Sequence, residues 1–147
     1  VFEGEGRAQR IVTRSFVERT WSAEEKEVFH AYAYPVGPEV YVLWDAGPEN
    51  WAPQNHSCDP NVILDTERLV MVARRDIEKG EELSFFYPST EWEMDAPFIC
   101  LCGASNCIHV VAGARFLPLS TLENHYLNRH IREMMIEMVI GITVGRK

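Results

Sequence analysis

The sequence lacks a long apolar run and a recognisable targeting signal. No stretch approaches the roughly 20 consecutive apolar residues that a membrane-spanning helix needs. The first residues also lack the charged and then apolar pattern of a secretory signal. We therefore expect an intracellular protein, nuclear or cytoplasmic, with no membrane partner. In such a reducing compartment, cysteines are more often thiols or metal ligands than disulfides.

Several catalytic motifs are absent too. The chain has no His-Glu-x-x-His, no His-x-Glu paired with Pro-Cys-x-x-Cys, no Gly-x-Ser-x-Gly and no phosphate-binding Gly-x4-Gly-Lys. These absences argue against a zinc protease, a nucleobase deaminase, a serine hydrolase and a P-loop nucleotidase. The one glycine-rich candidate for a cofactor loop, Gly4-Glu5-Gly6, lacks a preceding strand and a third glycine, so it is a weak signal.

Positive charge is scarce. The 147 residues include 14 lysines and arginines against 22 aspartates and glutamates, which gives a net charge of -8. An acidic domain repels phosphate backbones, so we expect no direct nucleic-acid contact and favour a basic protein or peptide as partner. A need for solubility alone would explain the negative charge about as well as a basic partner does. The length and the ordinary composition fit one globular domain, which we expect to be a monomer.

Cysteine is rare, and a single metal site would use all four cysteines. Three lie in PFICLCGASNC, and the fourth lies in NHSCDPN. A tetrahedral zinc site needs four such ligands, and four thiolates would leave no open position for a catalytic water. The sequence thus predicts a structural zinc on Cys58, Cys100, Cys102 and Cys107. Two alternatives remain open: His56 or His109 replaces one cysteine, or the four are unligated buried thiols.

Helices are predicted near both ends. Ser22 and Glu25 form a capping-box pattern before a helix that stops ahead of Pro35. The same signature at Ser120 and Glu123 predicts a helix that runs to Gly141. Its apolar stripe is typical of core packing and comprises Leu127, Ile131, Met134, Met135 and Met138. Residues 1–20 show no clear period and are interpreted as a strand or loop.

The middle of the chain is predicted to form short strands. Residues 40–44 read as a buried strand, followed by a loop over 45–54, and residues 62–64 and 69–73 as an antiparallel pair. A further strand over 82–87 ends at Pro88. Tyr87 closes this strand, and core packing is the commoner role for a tyrosine in such a place.

Three blocks, WAPQNHSCDPN, RRDIEKGEELSFFY and PFICLCGASNC, resemble in this order the C-terminal half of a SET domain and its post-SET zinc loop. The motif YPSTEW resembles the corresponding segment in a fungal group of SET-domain proteins. The resemblance extends from about Val28 to Gly113. It implies a mostly β, β-clip type fold with short strands, a threaded segment and a few helices. The implied units are a SET-like domain over 1–97, a post-SET zinc segment over 98–113 and a C-terminal helical extension over 114–147.

The resemblance also implies an activity and its cofactors. The family members are S-adenosylmethionine-dependent protein-lysine methyltransferases, so we expect a basic substrate such as a histone. Asn55 and His56 would contact the methyl donor, and Leu101 would pack on its adenine. The cysteine after the Asn-His pair, Cys58, would join the three post-SET cysteines on zinc, in agreement with the count of ligands made above.

The same resemblance assigns the reaction site. Tyr87 would supply the active-site hydroxyl, and Phe85 and Phe86 would line the channel for the substrate lysine. An apolar channel disfavours the charged ammonium and orients the amine for attack. The family carries Phe or Tyr at the position of Phe85, and Phe there implies a roomier site and higher methylation states.

The chain departs from the family pattern at its beginning. SET domains normally open with a Gly-x-Gly-Val-Phe-Ala type segment, and the glycines at 4–6 lack the Val-Phe-Ala that should follow. We therefore expect the N-terminal part of the SET-like unit to be incomplete. Smaller departures are Gln54 and the run Cys107-Ile108-His109. The alternative to an enzyme is a catalytically silent, zinc-stabilised SET-like module that binds a basic peptide; a cysteine-rich structural domain without a small-molecule ligand is a third reading.

Overall fold

A computed structural model describes residues 9–44 and 54–141. Nine short strands in four small sheets outnumber the four α-helices in this part of the chain. The expected fold class, mostly β with a few helices, is confirmed. The glycines at 4–6 and nearly all of the loop predicted over 45–54 lie outside the described residues. Among the described helices, none is both long and apolar enough to cross a membrane.

The first sheet and two helices form the N-terminal layer. Strand β1 (Gln9–Thr13) pairs antiparallel with β3 (Val40–Trp44), which pairs on its other side with β2 (Tyr34–Pro35). Helix α2 (Ala23–Tyr32) begins at the predicted capping box and ends before Pro35, as expected. Helix α1 (Arg14–Thr20) was not predicted.

The central strands hold the NHSCDPN segment against the SFFY segment. Strands β5 (Val62–Asp65) and β6 (Val70–Ala73) form the expected antiparallel pair. Strand β4 (Asn55–His56) pairs in parallel with β7 (Ser84–Phe85), which is shorter than the strand predicted over 82–87. The buried Asn61 fastens this pair: its amide donates to the Glu82 carbonyl over 2.8 Å and its oxygen accepts from the Ser84 N–H over 2.9 Å.

A hairpin and a helical segment follow. Strands β8 (Phe98–Ile99) and β9 (Val110–Val111) pair antiparallel on either side of the last three cysteines. At Gly113, just after β9, φ is 115° and an added Cβ would lie 2.4 Å from the Trp92 carbonyl oxygen. Glycine is therefore required there for the close approach of two backbone segments.

The single C-terminal helix expected from the Ser120 pattern is wrong. Helix α3 (Leu119–Leu122) begins after Pro118 without a side-chain cap, and a separate helix α4 (Arg129–Ile140) begins after Asn128. Asn128 is fully buried, and its amide group bonds the Leu64 and Ser89 carbonyls and the Thr66 N–H over 2.8 to 2.9 Å. Helix α4 does end at Gly141, in the left-handed conformation (φ 65°).

The predicted apolar stripe contributes to the core as far as Met135 and not at the end of α4. Leu127 and Ile131 pack with Phe86, Ala114 and Leu122, whereas Met138 is 57% exposed. A second small core combines Val62, Leu64 and Phe85. A third surrounds the cysteines.

Candidate functional site

Four sulfur atoms converge where the β8–β9 hairpin meets the segment after β4. The thiols of Cys58, Cys100, Cys102 and Cys107 all lie within 4.8 Å of one another. The Cys58 and Cys100 sulfurs are 3.8 Å apart. A tetrahedral zinc with bonds of about 2.3 Å requires ligand sulfurs about 3.8 Å apart, so these residues fit the metal that the sequence predicts.

The peptide backbone supports this cluster. The N–H groups of Ile108 and His109 approach the sulfurs of Cys58 and Cys107, each at 3.4 Å. Such donors stabilise the thiolate form that a metal needs. His109 thus contacts the cluster through its backbone N–H, and the residue as a whole is exposed to solvent. The described geometry favours four cysteines over a set in which His109 replaces one.

The thiols differ in acidity. Burial raises the pKa of Cys58 well above its ordinary value. Burial also opposes ionisation of Cys102, but hydrogen bonds with the backbone of Cys58 and Ala104 lower its pKa to about 6. Cys102 therefore ionises more readily than an ordinary thiol, and a bound cation would favour ionisation of the others.

Tyr87 lies beside the cluster, at the start of a 3₁₀ helix (Tyr87–Ser89) that follows β7. Its hydroxyl donates to the Gln54 carbonyl over 2.8 Å. Its ring is 4.8 Å from that of Phe85 and 5.9 Å from that of Phe98, measured between centroids. Burial, and then the charge of Glu91, raise the pKa of Tyr87, so the phenol is neutral at physiological pH.

His56 connects Tyr87 with the cysteines. Its Nδ1 accepts from the Tyr87 backbone N–H over 3.1 Å, and its Nε2 lies 3.3 Å from the Cys58 sulfur. Because Nδ1 is an acceptor, the ring proton of the neutral form is on Nε2 and faces that sulfur. Burial, and then His125, lower the pKa of His56 to about 4, so the ring is neutral near pH 7. His56 therefore contacts the cysteine cluster through the sulfur of Cys58.

The remaining predicted residues occupy different positions. Asn55 is exposed and its amide donates to the Glu82 carboxylate. Leu101 is 90% exposed between two cysteines. The Phe86 side chain packs in the C-terminal core, where it stacks on His125 with centroids 3.7 Å apart, and its ring centroid is 5.6 Å from that of His56. The structure therefore brings Phe85 and His56 against Tyr87, and it leaves Asn55 and Leu101 exposed.

Two residues beside Tyr87 escaped the sequence-based prediction. Phe98 is 39% exposed, and its ring contacts those of His56 and Tyr87 at 6.1 and 5.9 Å. Its position two residues before the predicted zinc ligand Cys100 could have placed it near the site from the sequence alone. Glu91 follows Tyr87 by four residues, and such spacing in a helical turn brings side chains to one side.

Comparison with known proteins identifies the family. A family model described as "SET domain" matches residues 8–88, more than half of the chain. The chain is 41% identical over 83 residues to "Methyltransferase flvH" of Aspergillus flavus, which covers 55% of this chain and 47% of that protein.

Two further relatives carry more specific names. "Histone-lysine N-methyltransferase, H3 lysine-36 specific" of Cryptococcus neoformans is 27% identical over 80% of this chain and 15% of its own length. "Histone-lysine N-methyltransferase, H3 lysine-4 specific" of Emericella nidulans is 42% identical over 36% of this chain and 5% of its own. The chain thus spans less than half the length of each of these relatives.

Proposed function

Because the chain belongs to the SET-domain family, we propose that it forms the SET part of a protein-lysine N-methyltransferase. The enzyme would use S-adenosylmethionine and act on a basic protein such as a histone. The observation that carries this proposal is the Tyr87 hydroxyl, fixed by the Gln54 carbonyl beside the ring of Phe85. The names of the relatives support the reaction class.

The site suits an amine that must lose its charge. A lysine ammonium, with an ordinary pKa of about 10.4, has no lone pair for attack on a methyl group. Aromatic walls such as Phe85 and Tyr87 disfavour the charged form. The Tyr87 hydroxyl uses its proton on Gln54, so its oxygen keeps lone pairs that accept an N–H of the neutral amine and orient it.

The methyl donor would bind at Asn55, His56 and Leu101. When bound, it supplies an activated methyl group on a sulfonium. Two observations fit such a ligand. The Asn55 side chain offers polar groups at the surface. Phe98 and Leu101 expose apolar surface on one segment, and the Phe98 ring lies 6.1 Å from that of His56. The neutral His56 ring would add no positive charge to repel the sulfonium.

The four-cysteine cluster would hold a structural zinc. Through Cys58 the metal would fasten the end of the NHSC segment, and through the other three it would fasten the loop that carries Leu101. The metal would therefore position residues for both the donor and Tyr87, and it would take no part in the reaction.

A basic protein is the substrate class that charge favours. The chain's net charge of -8 attracts lysine-rich and arginine-rich segments such as histone tails. The names of two relatives specify lysines of histone H3, and the name of a third specifies no substrate. A histone substrate would place the whole protein in the nucleus.

The test is transfer of a radiolabelled methyl group to histones by the whole protein. We expect Tyr87→Phe to lower the rate about 100-fold, since an oriented polar group in a transition state is commonly worth that much. Tyr126→Phe, at a partly exposed ring outside this group, is the matched control and should keep the rate. Equal rates for wild type and Tyr87→Phe would refute the assignment of Tyr87.

The competing function is a silent module that keeps the scaffold and binds basic peptides. Calorimetry with S-adenosylmethionine separates the two. An enzyme binds the donor in a saturable way, whereas a protein that binds a histone peptide and shows no heat with the donor is such a module.

A further inference from the structure

The backbone of Tyr87 belongs to one closed turn of the chain. Its carbonyl accepts from the N–H groups of Thr90 and Glu91 over 3.0 and 2.9 Å, and from the Thr90 hydroxyl over 3.2 Å. These bonds join residues 87–91 into a unit, the Tyr87 turn. Because the phenol ring is attached to this turn, any shift of the turn moves the Tyr87 hydroxyl relative to the Gln54 carbonyl that it bonds.

The beginning of α4 is bonded to the Tyr87 turn. The backbone N–H and the side-chain amide of Asn128 both donate to the Ser89 carbonyl, over 3.1 and 2.9 Å. One residue pair further along, the Nε2 of His130 lies 2.8 Å from the Thr90 carbonyl oxygen. All four of these residues are at most 6% exposed. Water therefore does not replace these bonds easily, and the position of the turn is coupled to that of the helix.

The tautomer of His130 follows from this contact. A carbonyl oxygen only accepts, so the Nε2 of His130 carries the ring proton and donates it to Thr90. Burial lowers the pKa of His130, and the ring is therefore neutral near pH 7. The Nδ1 of this neutral ring is an acceptor, and it is buried without a hydrogen-bond partner among the described residues.

The unpaired Nδ1 shows what the histidine contributes. A buried acceptor without a partner destabilises a fold, and an aliphatic side chain at position 130 would avoid that cost. What an aliphatic side chain cannot supply is the hydrogen bond to the Thr90 carbonyl. The specific contribution of His130 is therefore its hold on the Tyr87 turn, whereas packing of the same helix is provided by its neighbour Ile131, which lies in the C-terminal core.

Tyr87 is thus held from two directions. Its own N–H donates to the Nδ1 of His56, on the segment before the cysteine cluster. The turn that follows it is held by the beginning of α4, outside residues 8–88 that match the family model. A catalytic group must stay within about 0.5 Å of its productive position, and a displacement of about 1 Å can cost 100-fold in rate.

We propose that His130 is a positioning residue for Tyr87, which it holds through the Thr90 carbonyl. The inference rests on the proposed function for the role of Tyr87, and it extends the catalytic unit to the beginning of α4. His130 is buried on the backbone of the turn, so it would act through Tyr87 and would not contact the substrate. Its loss should therefore lower kcat and leave the KM for a histone peptide unchanged.

Two pairs of variants separate the hydrogen bond from packing. His130→Leu removes the donor and keeps an apolar side chain. His130→Gln keeps a donor that reaches the Thr90 carbonyl, whereas His130→Asn keeps an amide that is too short to reach it. Ile131→Val is the packing control, because it opens a small cavity in the same helix and changes no hydrogen bond of a side chain. If His130→Leu does not fold, the Gln and Asn variants carry the test.

Hydrogen exchange in the whole protein measures the position without any turnover. The amide protons of Thr90 and Glu91 close the turn, and the amide protons of strand β3 report global unfolding. In His130→Leu and His130→Asn we expect the two turn amides to exchange about 10-fold faster relative to β3, as the loss of one buried hydrogen bond implies. The NMR resonances of the Tyr87 ring should shift as well. Exchange and resonances equal to those of the wild type would overturn the inference.

Kinetics of methyl transfer then test the consequence for the reaction. We expect His130→Leu and His130→Asn to lose about 10-fold in kcat at constant KM, and His130→Gln to recover most of the loss. Ile131→Val should lower the melting temperature and keep the wild-type kcat. Losses of kcat that follow the melting temperature in all four variants would indicate general destabilisation and overturn the inference.

The inference and the proposed function can fail separately. If the wild type transfers methyl groups and His130→Leu is equally fast, only the inference is refuted. If the wild type transfers none while the turn amides and the Tyr87 ring respond to His130→Leu, the proposed function is refuted and the hold of His130 on Tyr87 is supported. Absence of both the transfer and the response would refute both.

Discussion

The two regions that meet at His56 are built in different ways. On one side, the cysteine cluster brings four sulfurs within 4.8 Å, and three of them come from eight consecutive residues. On the other side, Tyr87 is held by a carbonyl 33 residues away and by rings from two other segments. As a zinc site, the cluster would depend on an ion from outside the chain, whereas the position of Tyr87 depends on the chain's own hydrogen bonds and ring contacts. Loss of the metal should therefore affect the surroundings of Tyr87 by two routes: through His56 and Cys58, and through Phe98, which contacts the Tyr87 ring just before Cys100.

Removal of the metal should give the largest effect. We expect about one zinc per chain in the purified protein, and we expect its loss by chelation or in Cys58→Ala to lower the melting temperature by many degrees. The physical reason is that four thiols packed together become mutually repulsive once ionised without a cation. Elemental analysis and thermal unfolding measure both effects, with zinc added back as the control. Less than half a zinc per chain would remove the basis for the metal site.

Two glycine substitutions, one in each region, should differ in their cost to stability because only one site is crowded. Gly113→Ala places a Cβ 2.4 Å from the Trp92 oxygen at a φ of 115°, next to the bond between Ala114 and Glu91. We expect a loss of about 3 kcal/mol in the free energy of unfolding from strain and overlap together. Gly103→Ala, in the cysteine loop, has φ 70° but no atom within 4 Å and should cost only about 1 kcal/mol. Equal losses in urea unfolding would show that the close approach at Trp92 is unimportant.

Loss of His56 should disturb both regions at once. His56→Ala removes the group between the Tyr87 N–H and the Cys58 sulfur. We expect zinc affinity to fall about 10-fold to 100-fold, as is usual for residues that orient metal ligands. His109→Ala should leave the affinity unchanged, because His109 contributes its backbone N–H. Competition with a chromogenic chelator measures both variants. A greater loss in His109→Ala would instead make that histidine a ligand.

The smallest effect concerns stability against pH. Burial, and then the charge of Asp95, raise the pKa of Glu91 in the folded protein, so its contribution to stability is fully present below the unfolded pKa and is lost as the pH rises through about 7. Glu91→Gln has no such loss. The variant should therefore gain about 1–2 kcal/mol relative to the wild type between roughly pH 5 and pH 8. Urea unfolding at several pH values measures the gain, and Glu93→Gln should show none.

The contrast between the cysteine cluster, which is mostly local in sequence, and the surroundings of Tyr87, which come from distant segments, also explains which features the sequence could predict. The cysteines were predictable because residue type and spacing are sufficient for a metal site. The helix at Ser22 was predictable because its capping box is local, and both of its hydrogen bonds form. At Ser120 the same local pattern was misleading. Pro118 starts the short helix there, and a second helix starts at Asn128, whose side chain bonds distant backbone.

Features that depend on distant segments were missed or only partly predicted. The pairing of Asn55–His56 with Ser84–Phe85 is parallel and joins segments almost thirty residues apart, so no local period announces it. Helix α1 buries only Val17, which leaves no apolar period to detect. The roles of Tyr87 and Phe85 came from the resemblance to SET domains and remain proposals, and the packing of the Phe86 side chain in the C-terminal core was visible only in the structure.

The buried amide of Asn128 has a consequence for the order of folding. Its three hydrogen bonds reach back to residues 64, 66 and 89, across 39 to 64 residues of chain. Contacts of such long range cost the most loop-closure entropy and tend to form late. During synthesis these three hydrogen bonds cannot form until residue 128 has left the ribosome. A newly made chain should therefore stay sensitive to protease until that point and become resistant in one cooperative step.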